Sequence, residues 1–179
     1  MKPVAFLLAL LVAGALATPV SAQTSALRGH DTNAPIDVDA ARIEVRDNDA
    51  QAVFSGAVKI RQGTLKLDAD VVKVAYQRIG GGDPSIQRLD ARGNVRLVSP
   101  SERASGRTAI YDVAAKMITM IGDVVLARGD SLLRGDRLAI NLNTGRSTLD
   151  GRAGATTPGA APGGRVSGRF VVPPRGQTP

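Results

Sequence analysis

Val58-Lys59-Ile60-Arg61 and Thr64-Leu65-Lys66-Leu67-Asp68 alternate apolar and polar residues, the period of a strand with one face buried. The same alternation continues outward from this stretch. Towards the N-terminus it runs through Ile36-Asp37-Val38-Asp39 and Arg42-Ile43-Glu44-Val45-Arg46. Towards the C-terminus it runs through Val95-Arg96-Leu97 and Arg137-Leu138-Ala139-Ile140-Asn141-Leu142. Beyond the first 22 residues, no stretch holds apolar residues at helical spacing over three turns. The chain is therefore expected to be all-β from about Ile36 to Leu149.

A longer period lies above the alternation. Gly56, Gly93 and Gly122 open the similar phrases Gly-Ala-Val-Lys-Ile, Gly-Asn-Val-Arg-Leu and Gly-Asp-Val-Val-Leu, and Gly151 follows at the same spacing. The intervals are 37, 29 and 29 residues, and the long one contains the turn-forming run Gly80-Gly81-Gly82-Asp83-Pro84. Ala41, Asp70, Arg107 and Asp136 recur at matching positions, which predicts about four repeats of 29 residues with one loop inserted. Glycines so placed suit bulges or bends where a sheet must curve.

The repeat predicts the inward face. It takes Val58/Ile60, Val95/Leu97 and Val124/Leu126 after the glycines, and Phe54, Ala91, Met120 and Leu149 before them. After the landmarks it takes Ile43/Val45, Val72/Val74, Ala109/Tyr111 and Leu138/Ile140. A register of two that survives four repeats indicates one continuous buried surface. Either a sandwich or jelly roll closed on itself or a β-solenoid would cover such a face. The strand around Ile36 and Val38 and the strand over Leu138–Leu142 are the expected free edges. Residues 151–179 are rich in Gly, Ala, Pro and Arg, the composition of a flexible tail, with Arg169-Phe170-Val171-Val172 as a candidate last edge strand.

Residues 1–22 have the layout of a cleavable signal peptide. Lys2 precedes an apolar run from Phe6 to Leu16, and Val20-Ser21-Ala22 offers small residues at the cleavage site before Gln23. An exported domain over residues 23–150 follows, and with no cysteine it must be held by burial and backbone pairing alone. Of 23 Lys and Arg, Lys2 and the four arginines beyond residue 150 lie outside that domain; the remaining 18 face all 16 acids, leaving +2. The high isoelectric point thus belongs mainly to the tail, and nucleic acid is not an expected partner.

Catalysis needs a nucleophile, an acid/base pair or a metal cage. The single histidine, His30, lies in the segment before the first strand and reads as an exposed loop residue. Asp37/Asp39 and Asp68/Asp70 each alternate with apolar residues and so belong to an outer, solvated face. The residues suggest no enzyme, no metal and no cofactor.

Longer phrases carry a family resemblance. Thr32-Asn33-Ala34-Pro35-Ile36-Asp37-Val38 resembles the opening "D-x-P-I-x-I" of the OstA-like family of periplasmic lipopolysaccharide-transport bridge proteins. Phe54-Ser55-Gly56-Ala57-Val58-Lys59-Ile60-Arg61-Gln62-Gly63-Thr64-Leu65-Lys66-Leu67-Asp68-Ala69-Asp70 is similar to that family's "F-x-G-x-V-x-V-x-Q-G-x-x-x-I-x-A-D", with Leu67 at its isoleucine. Met120-Ile121-Gly122-Asp123-Val124 and Arg134-Gly135-Asp136-Arg137-Leu138 continue its cadence, so the likeness spans about residues 30–150.

The resemblance implies an open, twisted β-jelly roll holding the acyl chains of lipid A between its sheets. It implies lipid contacts at Ile36, Val38, Leu97, Tyr111 and Val113. Behind them, Ile43, Val45, Phe54, Val58, Ile60, Val72, Val74, Val95, Met120, Val124, Leu126, Leu138 and Ile140 would line the groove. The implied partners are lipopolysaccharide, an inner-membrane extraction complex, an outer-membrane translocon and further copies stacked head to tail. The Arg/Gly-rich tail departs from the family pattern. A β-solenoid scaffold of the envelope that polymerises and binds no lipid is the alternative.

Overall fold

The computed structural model describes residues 30–78, 84–151 and 164–170. The signal-peptide residues and most of the tail lie outside them. Ten strands form one antiparallel sheet: β1 (Ile36–Asp39), β2 (Arg42–Arg46), β3 (Gln51–Gln62), β4 (Leu65–Gln77), β5 (Ser85–Val98), β6 (Glu102–Asp112), β7 (Met117–Arg128), β8 (Ser131–Asn141), β9 (Arg146–Asp150) and β10 (Ser167–Arg169). β3 to β8 run as a meander of consecutive neighbours. Every pairing is antiparallel, which rules out the parallel coils of a solenoid.

Each long strand is broken near its middle. Register shifts occur between Ser55 and Val58, Asp68 and Val71, Arg92 and Val95, Ser105 and Thr108, and Ile121 and Val124. Aligned across the sheet, these bulges form a crease that divides it into two wings. The first wing carries β1 and β10, and its strands end at the turns around Gly63, Pro100 and Gly129. The second wing carries β2 and β9, and its strands end beyond Gln77, at 113–116 and at 142–145. Fourteen of the eighteen inward positions are buried, which requires each wing to cover the other. The result is an open jelly roll whose wings meet along a seam of hairpin tips.

The repeat has a physical basis at the crease. Gly93 has φ +78°, and a β-carbon there would stand 2.3 Å from Asp70 Oδ2. Gly56 and Gly122 likewise adopt positive φ and abut Ala41 and Arg107. Ala41, Asp70 and Arg107 thus each pack on the bulge glycine of the following phrase, where an added β-carbon would run into them, whereas Gly151 abuts Gly164 and Arg165 instead of Asp136.

Three expectations need correction. Ile43 and Val45 stand opposite Phe54 and Ala52 and so share the inner face, yet each is 55% exposed. They lie on the edge strand β2, which leaves their inward-facing side chains uncovered. The strand over Leu138–Leu142 is not a free edge, because β9 and β10 both pair with β8. The tail is not wholly irregular either: Ser167–Arg169 pairs with Leu132–Arg134, slightly before the strand expected at Arg169–Val172, of which Val171 and Val172 lie outside the described residues.

Candidate functional site

The interior is built from rows of side chains that cross the strands. In the first wing Val38, Ile60, Leu67, Leu97, Ala104, Leu126 and Leu133 stand side by side in direct register. In the second wing Phe54, Val72, Ala91, Ala109, Met120, Leu138 and Leu149 do the same. Alternation along every strand sends these rows inward, so the enclosed space runs perpendicular to the strands from the β1/β2 edge to the β9/β10 edge.

That space is closed along most of its length. Val58, Val72, Met120 and Leu138 are fully buried, and Val74, Val95, Val124, Leu126 and Ile140 nearly so. At the β1 end lies a narrow apolar slot, lined by Ile36, Ile60, Gln62, Leu65, Leu67, Leu89, Ala91, Leu97, Tyr111 and Ile118. Its free volume is about 20 Å³, room for one water molecule. Ile36, Leu97 and Tyr111, far apart in sequence, are therefore brought together. Val38 sits in the adjacent inner row opposite Ile60, and Val113 packs half-buried against the same core beyond Tyr111.

One polar group is set into this apolar slot. Gln62 is 4% exposed and has all four side-chain hydrogen-bonding positions filled. Its Nε2 donates to the carbonyls of Thr32 and Ala34, both at 3.0 Å. Its Oε1 accepts from the Tyr111 hydroxyl at 3.0 Å and lies 3.2 Å from His30 Nε2. The two carbonyls fix the amide orientation, which makes Tyr111 a donor and selects the Nε2–H form of His30 for that contact. Burial raises the pKa of the Tyr111 hydroxyl, keeping it the donor. Gln62 stands at a first-wing tip and Tyr111 on a second-wing strand, so their bond is a clasp across the seam. His30, expected as an exposed loop residue, is half-buried over this clasp.

Further along the seam, Glu102 faces inward, 4% exposed, and pairs with Arg128 directly across the β6–β7 ladder. It borders a small gap with Leu97, Ala104, Leu126 and Ile140, where the two wings again touch. Among the described residues no group of three or more His, Cys, Asp or Glu is placed to hold a metal ion. Gln62, Leu89, Ile118 and Glu102 were not among the expected lining residues. For Gln62 and Glu102 the signal was present: the alternation Val58, Ile60, Gln62 and the pair Glu102, Ala104 place both polar side chains inward.

Three comparisons bear on this arrangement. The family profile described as "LptA/(LptD N-terminal domain) LPS transport protein" matches residues 37–146. An uncharacterized protein of Rhizobium meliloti (strain 1021) is 31% identical over 150 residues, covering 81% of this chain and 80% of its own. The crystal structure of LptH, the LptA-homologous periplasmic component of the lipopolysaccharide transport device of Pseudomonas aeruginosa, superposes with a TM-score of 0.66 at 19% identity. That match covers 80% of this chain and 99% of LptH, and it establishes the shared open jelly roll. With the family profile matching most of the chain, including β1 from Asp37 onward, the crease glycines and the clasp glutamine, this protein belongs to the LptA/LptD N-terminal-domain family of LPS transport proteins.

Proposed function

We propose that this protein is a periplasmic carrier that passes lipopolysaccharide between the inner and outer membranes, with the acyl chains of lipid A held between the two wings. The observation that carries the reading is the continuous apolar interior running perpendicular to the strands, entered at the slot of Ile36, Leu97 and Tyr111. Val38, Val113 and the buried inner rows would line the path behind that entrance. Ile43 and Val45 would extend it beyond the β2 edge.

The closed interior sets the energetics. Ten methylenes of one chain offer roughly 8 kcal/mol on leaving water. Admitting them separates side chains already packed against each other, so the chain replaces one set of apolar contacts with another. Net affinity is then far below the gross figure, which suits a carrier that must release its cargo. Free edges at β1/β2 and β9/β10 would let the sheet continue into a second copy, or into the inner-membrane extraction complex and the outer-membrane translocon.

The packed interior also favours a second reading, a sealed jelly-roll scaffold that binds no lipid. Mass spectrometry of the protein purified from the periplasm of a Gram-negative host separates the two. The carrier reading expects co-purifying lipid A in amounts comparable to protein. Lipid-free protein whose Ile36 slot stays inaccessible to added lipid would establish the scaffold instead.

A further inference from the structure

The body's small net charge conceals an uneven distribution. One outer row of the first wing, next to the hairpin tips, reads Asp37, Arg61, Lys66, Val98, Arg103, Ala127, Leu132 and Arg169 in unbroken register from β1 to β10. Four cations share this row with one acid at its far end. Arg61, Lys66, Arg103 and Arg169 are all exposed, and among the described residues none forms an ion pair. On the opposite lip of the seam, Arg46, Arg78 and Arg88 are paired with Glu44, Asp47 and Asp90, leaving Lys116 and Arg146 as the further cations near its tips.

The row has depth as well as charge. Between the β5–β6 and β7–β8 tips lies a cleft of about 340 Å³ lined by Ser99, Ser101, Glu102, Arg103 and Arg128 with Pro100, Ala127 and Gly129. Arg103 enters it from the outer face, and Arg128 from the inner face, where it also pairs with Glu102. Glu102 in the cleft and Asp130 in the adjacent β7–β8 turn balance Arg103 and Arg128 locally, so the excess positive charge of the row lies at Arg61, Lys66 and Arg169. At about 4.8 Å per strand, Arg61 and Arg169 are roughly 30 Å apart, so the cations form a track parallel to the apolar interior.

We propose that this first-wing lip binds the phosphorylated sugar head group of the same lipid whose chains occupy the interior. This inference rests on the carrier reading above. Its recognition chemistry is a phosphate ester met by guanidinium and ammonium groups. Chains between the wings would exit at the seam, and the head group would then lie against Arg61, Lys66 and Arg103. A track rather than a single pocket lets the head group move along with its chains, each phosphate exchanging one cation for the next.

The test uses the full mature chain and two probes kept monomeric in detergent: bisphosphorylated lipid A and its dephosphorylated form. The wild type is expected to prefer the bisphosphorylated lipid by about ten-fold, a preference weakened by salt. The triple variant Arg61→Gln/Lys66→Gln/Arg103→Gln should keep its thermal melt and bind both probes equally. Equal binding of both probes by the wild type would overturn the head-group track while leaving chain carriage intact. A preference retained in the triple variant would also overturn it. So would a triple variant that loses only adhesion to phosphatidylglycerol vesicles, which would make the lip a membrane contact. If the wild type binds neither probe, the carrier reading fails and this inference falls with it.

Discussion

The hydroxyl of Tyr111 on β6 donates a 3.0 Å hydrogen bond to Oε1 of Gln62 on β3, joining the two wings across 49 residues of sequence. The bond lies where the apolar slot reaches the seam, so it couples closure of the jelly roll to the entrance of the interior. Tyr111→Phe should keep the fold and cost about 1 kcal/mol, because Gln62 Oε1 retains only the His30 contact. Gln62→Leu should cost more, since it also strands the Thr32 and Ala34 carbonyls. A double-mutant cycle read by urea unfolding should give a coupling near 1 kcal/mol, and additive effects would show that the clasp is not formed in solution.

The same bond predicts a pH dependence. Burial raises the Tyr111 pKa in the folded state, so ionisation is harder there than in the unfolded chain. The resulting stability is fully present below the unfolded value of about 10 and is lost as pH rises through the folded value. Thermal melts between neutral and strongly alkaline pH should show a decline that is shallower in Tyr111→Phe. Identical slopes in both proteins would mean that Tyr111 is solvated rather than enclosed.

Gly93→Ala should be among the more damaging small substitutions in the chain. It forces a β-carbon at φ +78° into the Asp70 side chain and displaces the carboxylate that accepts 2.9 Å from Asn94. A loss of about 2–3 kcal/mol is expected from backbone strain plus the displaced contact. Gly129→Ala, at φ +53° with nothing within 4 Å of the added carbon, should cost only about 1 kcal/mol. Similar losses at the two sites would mean that the Asp70 contact does not shape the crease.

Truncation after residue 152 should leave a cooperatively folding all-β domain. It removes β10, whose three residues pair with β8 and whose Gly168 lies against the half-buried Leu133. Uncovering that leucine and the β8 edge should cost about 1–2 kcal/mol and shift the melt downward. Loss of a cooperative transition would make β10 an obligatory part of the sheet.

Much of this molecule was legible in its sequence because its order is local and repetitive. Alternation at Val58–Ile60 and Leu138–Ile140 fixes the inner face, and Gly56, Gly93 and Gly122 mark the crease that folds it. Alternation reports which way a side chain points but not what stands over it, so it predicts burial for Ile43 and Val45, which their edge strand leaves open. Pairing across the seam is equally hidden. Nothing near Gln62 in sequence announces Tyr111, and the tight packing that closes the interior depends on how far the wings fold together. The tail's short strand was obscured because Gly168 and its neighbours resemble linker composition, and its partner lies more than 30 residues earlier.

The most direct test of lipid carriage replaces Ile36, Asp37, Val38 and Asp39 in turn with a photo-crosslinking residue in cells that make lipopolysaccharide. β1 alternates half-buried and exposed positions across these four residues, with Ile36 in the slot and Asp37 and Asp39 on the outer face. The account predicts lipopolysaccharide adducts from Ile36 and Val38 and none from Asp37 or Asp39. Equal adducts from all four positions, or adducts from the two aspartate positions alone, would contradict it and place any lipid on the outer surface.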